Sequence, residues 1–286
     1  MVAFVFPGQG SQKRGMGEEL FDLKEYQAAE RDVDDLVGYS MRRLCKEDTQ
    51  DQLKDTRYTQ PSLYVVNSLY LTKHTLAFGN PTHVAGHSLG EYNALLAAGV
   101  FDFMTGLRLV QKRGELMAQA TNGGMGAVIG LSRAAIEAVM RQHDLNSVDV
   151  ANFNSPSQTV ISGPVADLTR AGQLLEQAGA RMYMPLQVSA AFHSRYMAEY
   201  ADEFARFLQP FTFSAPRIPV VSNVTAQPYP SDSEAIKSLL VRQITQSVQW
   251  TQSVRYLLAQ GVTDLKEAGP GNVLTRLIQQ IQREKD

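Results

Sequence analysis

The stretch THVAGHSLGEYNALLAAG, residues 82–99, places a serine at the centre of a Gly-x-Ser-x-Gly pattern formed by Gly86, Ser88 and Gly90. Glycines at this spacing permit a tight turn that exposes the serine between a strand and a helix. The helix predicted to begin there directs backbone N–H groups, including that of Leu89, towards a developing oxyanion. Ser88 is therefore a candidate nucleophile. The alternative is a glycine-rich turn that only packs tightly.

A nucleophilic serine needs a base, and the chain has five histidines. Four fit that role poorly, because they lie in polar helical stretches, before a strand or directly beside the serine: His74, His143, His83 and His87. His193 remains, bounded by small and apolar residues just after a predicted strand. Alone it fits a structural role better, but with the serine pattern it becomes a candidate base.

The elements around Ser88 read as strand, turn and helix. VAFVF (2–6) is a short apolar run ended by Pro7-Gly8, and THVAGH is a short strand leading directly into the serine. The residues EYNALLAA form a helix that Gly99 closes. Further along, IPVVSN and DLKEAG read as strands, and a helix ends the chain.

Residues 124–189 show a different pattern of predicted elements. Strands and helices follow in the order βαββαβ, and NSPS is the turn between the two middle strands. This order is the ferredoxin-like arrangement. We therefore predict an α/β fold with two parts. A large α/β-hydrolase-like domain with a parallel sheet core spans residues 1–123 and 190–286. A small ferredoxin-like subdomain, residues 124–189, is inserted into it.

Composition narrows the function classes. A net charge of −2 does not suggest nucleic-acid binding. One cysteine, Cys45, excludes an internal disulfide and fits a reducing cytoplasmic setting, where we expect this residue to pack in the interior. We expect neither a signal peptide nor a membrane helix, because the N-terminal stretch lacks a basic region and no apolar run is long enough. No cluster of metal-ligating residues is visible either.

Five ordered motifs resemble those of malonyl-CoA:acyl-carrier-protein transacylases, and the resemblance covers essentially the whole chain. They are FPGQGSQ (6–12), GHSLGEY (86–92), RGELM (113–117), AFHS (191–194) and EAGPGNVLT (267–275). The βαββαβ insert also matches that family's small subdomain. The segment EYNALLAAGVFDFMTGLRLVQKRGELM most resembles the corresponding segment of the discrete acyltransferases that serve polyketide synthases lacking built-in acyltransferase domains.

The resemblance implies a role for each matching residue. Ser88 is the acyl-accepting nucleophile, and His193 is its general base and then the acid for the departing thiol. The backbone N–H of Gln9 joins that of Leu89 in the oxyanion hole. The main-chain carbonyl of Gln243 accepts the other N–H of His193. A carbonyl can fix the imidazole tautomer without adding negative charge, so no aspartate is needed as third member.

Arg113 matches the arginine that binds the malonyl carboxylate. A carboxylate in a partly dry cleft needs a cation, and a guanidinium offers two parallel hydrogen bonds. Such a pair gives roughly 2–5 kcal/mol of discrimination. The alternative is a solvated helix arginine beside Lys112. Phe192 is expected to limit the space beside the malonyl C2 and disfavour a methyl branch, which is worth about 1–3 kcal/mol. The alternative there is a core aromatic residue.

The resemblance implies transfer of a malonyl group from malonyl-CoA to the phosphopantetheine thiol of an acyl carrier protein, with no cofactor, by a monomer. Polyketide biosynthesis is the favoured pathway, and housekeeping fatty-acid synthesis is the alternative. Two rivals are an acyl hydrolase acting on stalled carrier proteins and a silent docking module. Arg113 favours the transferase, because a buried cation would repel apolar acyl tails.

Overall fold

Two separate β-sheets organise the chain. The computed structural model describes residues 1–121 and 123–284, so residue 122 and residues 285–286, which fall in the predicted large-domain ranges, lie outside it. The strands of the described residues are β1 (Val2–Phe6), β2 (His83–Gly86), β3 (Gly124–Ile129), β4 (Asp149–Ser155), β5 (Gln158–Gly163), β6 (Met182–Pro185), β7 (Val220–Val221) and β8 (Asp264–Glu267).

The helices surround these sheets, and several begin at a residue whose side chain caps the first turn. They are α1 (Lys24–Val37), α2 (Met41–Glu47), α3 (Thr56–Phe78), α4 (Gly90–Ala97), α5 (Phe103–Gln119), α6 (Arg133–Gln142), α7 (Val165–Gln177), α8 (Ala198–Leu208), α9 (Ser233–Thr245), α10 (Trp250–Ala259) and α11 (Val273–Arg283). Asp102 accepts from the Thr105 N–H and so starts α5, while Asp232 accepts from the Ala235 N–H and starts α9. None of the described helices is long and apolar enough to cross a membrane.

The first sheet is parallel throughout, in the order β7-β2-β1-β8. Both of its faces are buried, as expected of a parallel sheet covered by helices. Phe4 and Phe6 join the larger core cluster on one face, whereas Ala3 and Val5 join a second cluster that includes Trp250. Because β2 is an inner strand, its carboxyl end delivers the following turn to the edge where open α/β sheets bind ligands.

The second sheet is antiparallel, in the order β4-β5-β3-β6, and α6 and α7 pack against it around a third core cluster. A short parallel bridge joins this sheet to the rest of the chain: Val248 donates to the Ala151 carbonyl, and its own carbonyl accepts from Phe153. The predicted α/β fold is confirmed as a parallel sheet with a separate antiparallel sheet. Cys45 is fully buried in α2, as predicted.

Three predicted boundaries are wrong. The predicted strand DLKEAG ends at Glu267, so Ala268 and Gly269 lie outside β8. The NSPS turn is shorter than expected, because Asn154 and Ser155 remain in β4 and only Pro156 and Ser157 turn. The predicted strand IPVVSN shrinks to the two residues of β7. The reason is that the backbone N–H of Asn223 donates to a buried carboxylate, that of Glu91, instead of a neighbouring strand.

Gly90→Ala is expected to lower the free energy of unfolding by about 3 kcal/mol, because the added Cβ would lie 2.0 Å from the Phe6 carbonyl oxygen, a backbone atom held in the sheet. Urea unfolding followed by circular dichroism measures this. Gly124→Ala is the matched control, because its Cβ would meet the Leu168 side chain at an ordinary 3.4 Å, and we expect a change within about 1 kcal/mol. Equal unfolding midpoints for the two variants would contradict this account of the packing.

Candidate active site

Ser88 occupies a tight turn between the end of β2 and the start of α4. Its φ of 51° lies in the left-handed region, which is uncommon for a residue with a side chain. A Cβ at Gly86 would lie 1.9 Å from the carbonyl carbon of Gly90, so strand and helix meet too closely there for any side chain. The two glycines of the sequence pattern are therefore required by backbone packing on both sides of the serine.

The hydroxyl of Ser88 lies beside one imidazole. Ser88 Oγ is 2.8 Å from His193 Nε2, and His193 Nδ1 is 2.7 Å from the main-chain oxygen of Gln243. Because a carbonyl only accepts, Nδ1 carries the proton and Nε2 is left to accept the Ser88 O–H. The chain therefore brings together two residues separated by 105 positions, in the arrangement that nucleophilic catalysis requires.

Burial keeps this imidazole neutral. His193 is 4% exposed, and desolvation, followed by the positive charge of Arg113, lowers its pKa from 6.5 to about 3. A neutral imidazole at ordinary pH can take a proton from the serine. The hydrogen bond to the Gln243 carbonyl partly offsets the shift, because it favours the protonated ring.

Arg113 lies on α5 and is 1% exposed, so the interpretation as a solvated helix arginine is wrong. Its Nη1 donates to Gln60 Oε1 at 2.6 Å. Its Nη2 donates to Ser88 Oγ at 3.1 Å and to Gln243 Oε1 at 3.0 Å. These acceptors are uncharged oxygens. Burial lowers the pKa of the guanidinium, and neighbouring Tyr92 and Glu91 oppose that effect. A buried cation held by neutral groups is suited to receive an anion.

Gln9 and Leu89, the predicted oxyanion-hole residues, line the same cavity as Ser88. Gly8 packs so closely on the turn that a Cβ there would lie 2.4 Å from the His87 carbonyl oxygen and 3.6 Å from the Leu89 nitrogen. Gln9 follows it, and its side-chain oxygen accepts from Thr56 at 2.9 Å. Among the described residues, neither the Gln9 nor the Leu89 N–H donates to a protein acceptor. Both donors therefore remain available to an oxyanion near Ser88.

The predicted site residues line a single chamber of about 110 Å³: Gln9, Ser88, Leu89, Arg113, Phe192 and His193. A larger cleft of about 860 Å³ adjoins this chamber, and Lys54 and Arg57 lie on its wall. Four residues line both spaces: Gln9, Leu186, Val188 and Phe192. The cleft is therefore an approach to the chamber for a long ligand. Phe192 is buried and lines both spaces, so its effect on the size of the acyl group stays a prediction.

Three polar residues of the site were not predicted from the sequence. Gln60 anchors the guanidinium, and Asn223 fixes the turn by accepting from the Ser88 N–H at 2.7 Å and donating to the Gly86 carbonyl at 2.6 Å. Glu91 is fully buried, and desolvation raises its pKa to about 7. Glu91 lies inside the GHSLGEY motif, and this position could have indicated from the sequence that it belongs to the site. Gln60 and Asn223 lie in no recognised motif.

Comparisons with known proteins agree on one family. The model of the acyl transferase domain matches residues 3–286. A polyketide biosynthesis malonyl CoA-acyl carrier protein transacylase from Bacillus velezensis is 53% identical over 288 residues, covering 100% of this chain and 98% of the relative.

Solved structures give the same result. The crystal structure of a malonyl CoA-acyl carrier protein transacylase from Burkholderia pseudomallei has a TM-score of 0.94 and 45% identity, covering 100% of this chain and 99% of the other. A malonyl-transacylase in complex with a type II polyketide synthase acyl-carrier protein has a TM-score of 0.93 and 38% identity, covering 99% and 93%.

The ring of His193 is expected to stay neutral between about pH 8 and about pH 5, because burial and Arg113 disfavour the imidazolium and a lowered pKa delays protonation as the pH falls. ¹⁵N NMR of histidine-labelled protein measures this, with His193→Gln to assign the signal. In Arg113→Ala the pKa should rise towards 6.5, since one of its causes is removed. A wild-type midpoint near 6.5 would contradict the prediction.

Proposed function

The chain belongs to the acyl transferase domain family, and from that premise we propose that it transfers a malonyl group from malonyl-CoA to the phosphopantetheine thiol of an acyl carrier protein. One observation carries the proposal. The Arg113 guanidinium is buried in the same chamber as the Ser88–His193 pair, and among the described residues no carboxylate accepts a hydrogen bond from it. A diacid thioester supplies that carboxylate.

The transfer proceeds in two half-reactions. Ser88 Oγ attacks the thioester carbonyl while its proton passes to His193 Nε2, and the N–H groups of Gln9 and Leu89 stabilise the resulting oxyanion. The C–S bond then breaks, His193 returns the proton to the CoA sulfur, and a malonyl ester remains on Ser88. In the second half-reaction the carrier thiol gives its proton to His193 and attacks the ester. The C–O bond breaks, and Ser88 regains its proton.

The chamber argues for transfer of a small diacid over hydrolysis of varied acyl groups. A volume of about 110 Å³ leaves little space beside Ser88 for a bulky acyl group, and the larger adjoining cleft is then left for the carrier arm of the thioester. A buried guanidinium beside the nucleophile would also disfavour an apolar acyl tail, because the tail would displace water from the charge without replacing its hydrogen bonds. We further propose that Phe192 restricts branching at C2, since it lines this chamber.

Polyketide biosynthesis is the proposed pathway, with a carrier protein as partner. The relative with 53% identity carries that pathway in its name, and one similar structure is a complex with a polyketide synthase carrier protein. Housekeeping fatty-acid synthesis uses the same chemistry and remains the alternative. We propose that no cofactor takes part and that the chain acts as a monomer.

We also propose the finer description of the fold. Residues 124–189 form a ferredoxin-like subdomain, and residues 1–123 and 190–286 form an α/β-hydrolase-like domain. The sheet order β4-β5-β3-β6 and the βαββαβ connection support the first assignment. The strand-turn-helix around Ser88 supports the second.

Incubation with malonyl-CoA is expected to add the mass of one malonyl group to the wild type and nothing to Ser88→Ala, because the ester forms on that hydroxyl. Intact-mass spectrometry measures the adduct. With labelled malonyl-CoA and a holo-carrier protein, the label should appear on the carrier. Release of free malonate with an unlabelled carrier would favour the hydrolase, and an equal adduct on Ser88→Ala would refute the covalent mechanism.

Arg113→Ala is expected to slow malonyl loading of Ser88 by about 100-fold, while acetyl loading survives or rises, because only the diacid needs the guanidinium. Rapid-quench mass spectrometry with malonyl-CoA and acetyl-CoA measures both rates. Arg108→Ala is the matched control, since Arg108 is an exposed arginine of the same helix. Equal losses for both acyl groups in Arg113→Ala would assign the residue a structural role.

A further inference from the structure

Glu91 is a buried carboxylate that the proposed chemistry does not use. It lies in the first turn of α4 and is 0% exposed. One oxygen accepts from the backbone N–H of Asn223 at 2.7 Å, and the other accepts from the side-chain amide of Gln243. These are the residues that anchor the Ser88 turn and orient His193. The carboxylate is therefore hydrogen-bonded both to the residue that holds the nucleophile turn and to the residue that orients the base.

The Gln243 amide has no freedom in this arrangement. One of its N–H groups donates to the Ser88 carbonyl at 2.8 Å, and the other donates to Glu91. With both donors engaged, only Oε1 can face Arg113, and it accepts from Nη2 at 3.0 Å. An ionised carboxylate cannot donate, so at a pH above its pKa of about 7 Glu91 holds the amide in one of its two orientations.

We propose that Glu91 is a positioning residue for acid recognition: it fixes the Gln243 side chain so that its oxygen holds Arg113 in place for the carboxylate of the acyl group. The inference rests on the proposed malonyl transfer. Glu91 contacts neither the reacting atoms nor Arg113 directly in the hydrogen bonds of the described residues, and acts through Gln243. Its negative charge also attracts the buried guanidinium.

Glu91→Gln separates this role from support of the turn. A glutamine at this position can still accept from the Asn223 N–H with its oxygen, but its NH₂ then opposes the NH₂ of Gln243. The backbone N–H of Asn223 is fixed, whereas the Gln243 side chain can rotate, so the mismatch falls on Gln243. If that amide turns over, Gln243 gives up its hydrogen bond to the Ser88 carbonyl, although Asn223 still holds the turn, and its NH₂ faces the donors of Arg113, so the guanidinium loses an acceptor.

The test measures single-turnover loading of Ser88 by malonyl-CoA and by acetyl-CoA at about pH 8, where the carboxylate is ionised. In Glu91→Gln, malonyl loading should fall about tenfold or more, and acetyl loading should change by less than about threefold. In Asn223→Ala both should fall together, because the turn itself is released. Glu199→Gln is the matched control, since Glu199 is an exposed glutamate in the first turn of α8 and should change neither rate.

A double-mutant cycle separates this role from poor folding of Glu91→Gln, because a general folding defect would lower malonyl loading in both the wild-type and the Arg113→Ala background. In an Arg113→Ala background, adding Glu91→Gln should lower malonyl loading by less than about threefold further, because the residue on which Glu91 acts is gone. If the wild type forms the malonyl ester, equal losses of malonyl and acetyl loading in Glu91→Gln would overturn the inference. No loss of either would overturn it as well. A wild type that forms no malonyl adduct would instead refute the proposed function.

Discussion

The site depends on the buried guanidinium of Arg113, to which no carboxylate is hydrogen-bonded in the part of the chain that the structure describes. Placing a cation in the interior costs several kcal/mol unless hydrogen bonds and an opposite charge compensate it. Arg113 has hydrogen bonds to Gln60, Ser88 and Gln243, and the negative charge of Glu91, which is hydrogen-bonded to Gln243, opposes the effect of burial on the guanidinium. We propose that the carboxylate of a diacid substrate compensates this charge, so that the free energy spent on burying Arg113 in the free protein favours a diacid over an uncharged acyl group.

The same charge links recognition to catalysis. Arg113 reaches the nucleophile itself at 3.1 Å and lowers the pKa of His193 together with burial. A carboxylate bound to the guanidinium would partly neutralise this charge, and so would raise the basicity of the imidazole when a proton must be taken. Gln243 joins the three groups, because its carbonyl orients His193, its amide nitrogen binds the Ser88 carbonyl and its amide oxygen holds Arg113.

Local patterns predicted much of this arrangement. Gly86, Ser88 and Gly90 lie close together in sequence, and the strand-turn-helix around them follows from residue types that favour each element. The alternation of strands and helices also predicted both sheets, because hydrophobic periodicity acts over short distances. Family resemblance, and not periodicity, suggested Gln9, Arg113 and Gln243, whose roles depend on contacts across the fold.

What the sequence did not reveal lies in long-range polar contacts. Arg113 has charged neighbours along the chain, yet it falls at helical spacing with the buried Leu109 and Met117, a signal of burial that the charged stretch obscured. Asn223 was expected to end a strand, but it binds the Ser88 turn 135 positions away. Such a contact leaves no periodic trace, because a single hydrogen bond requires no pattern in the residues around it.

The most direct test is a crystal structure of the malonyl ester on Ser88, trapped after brief exposure to malonyl-CoA. We expect the free carboxylate to lie about 3 Å from the Arg113 guanidinium nitrogens, inside the chamber. A carboxylate directed instead into the large cleft, towards Arg57 and Lys54, with Arg113 still bound only to protein oxygens, would contradict it.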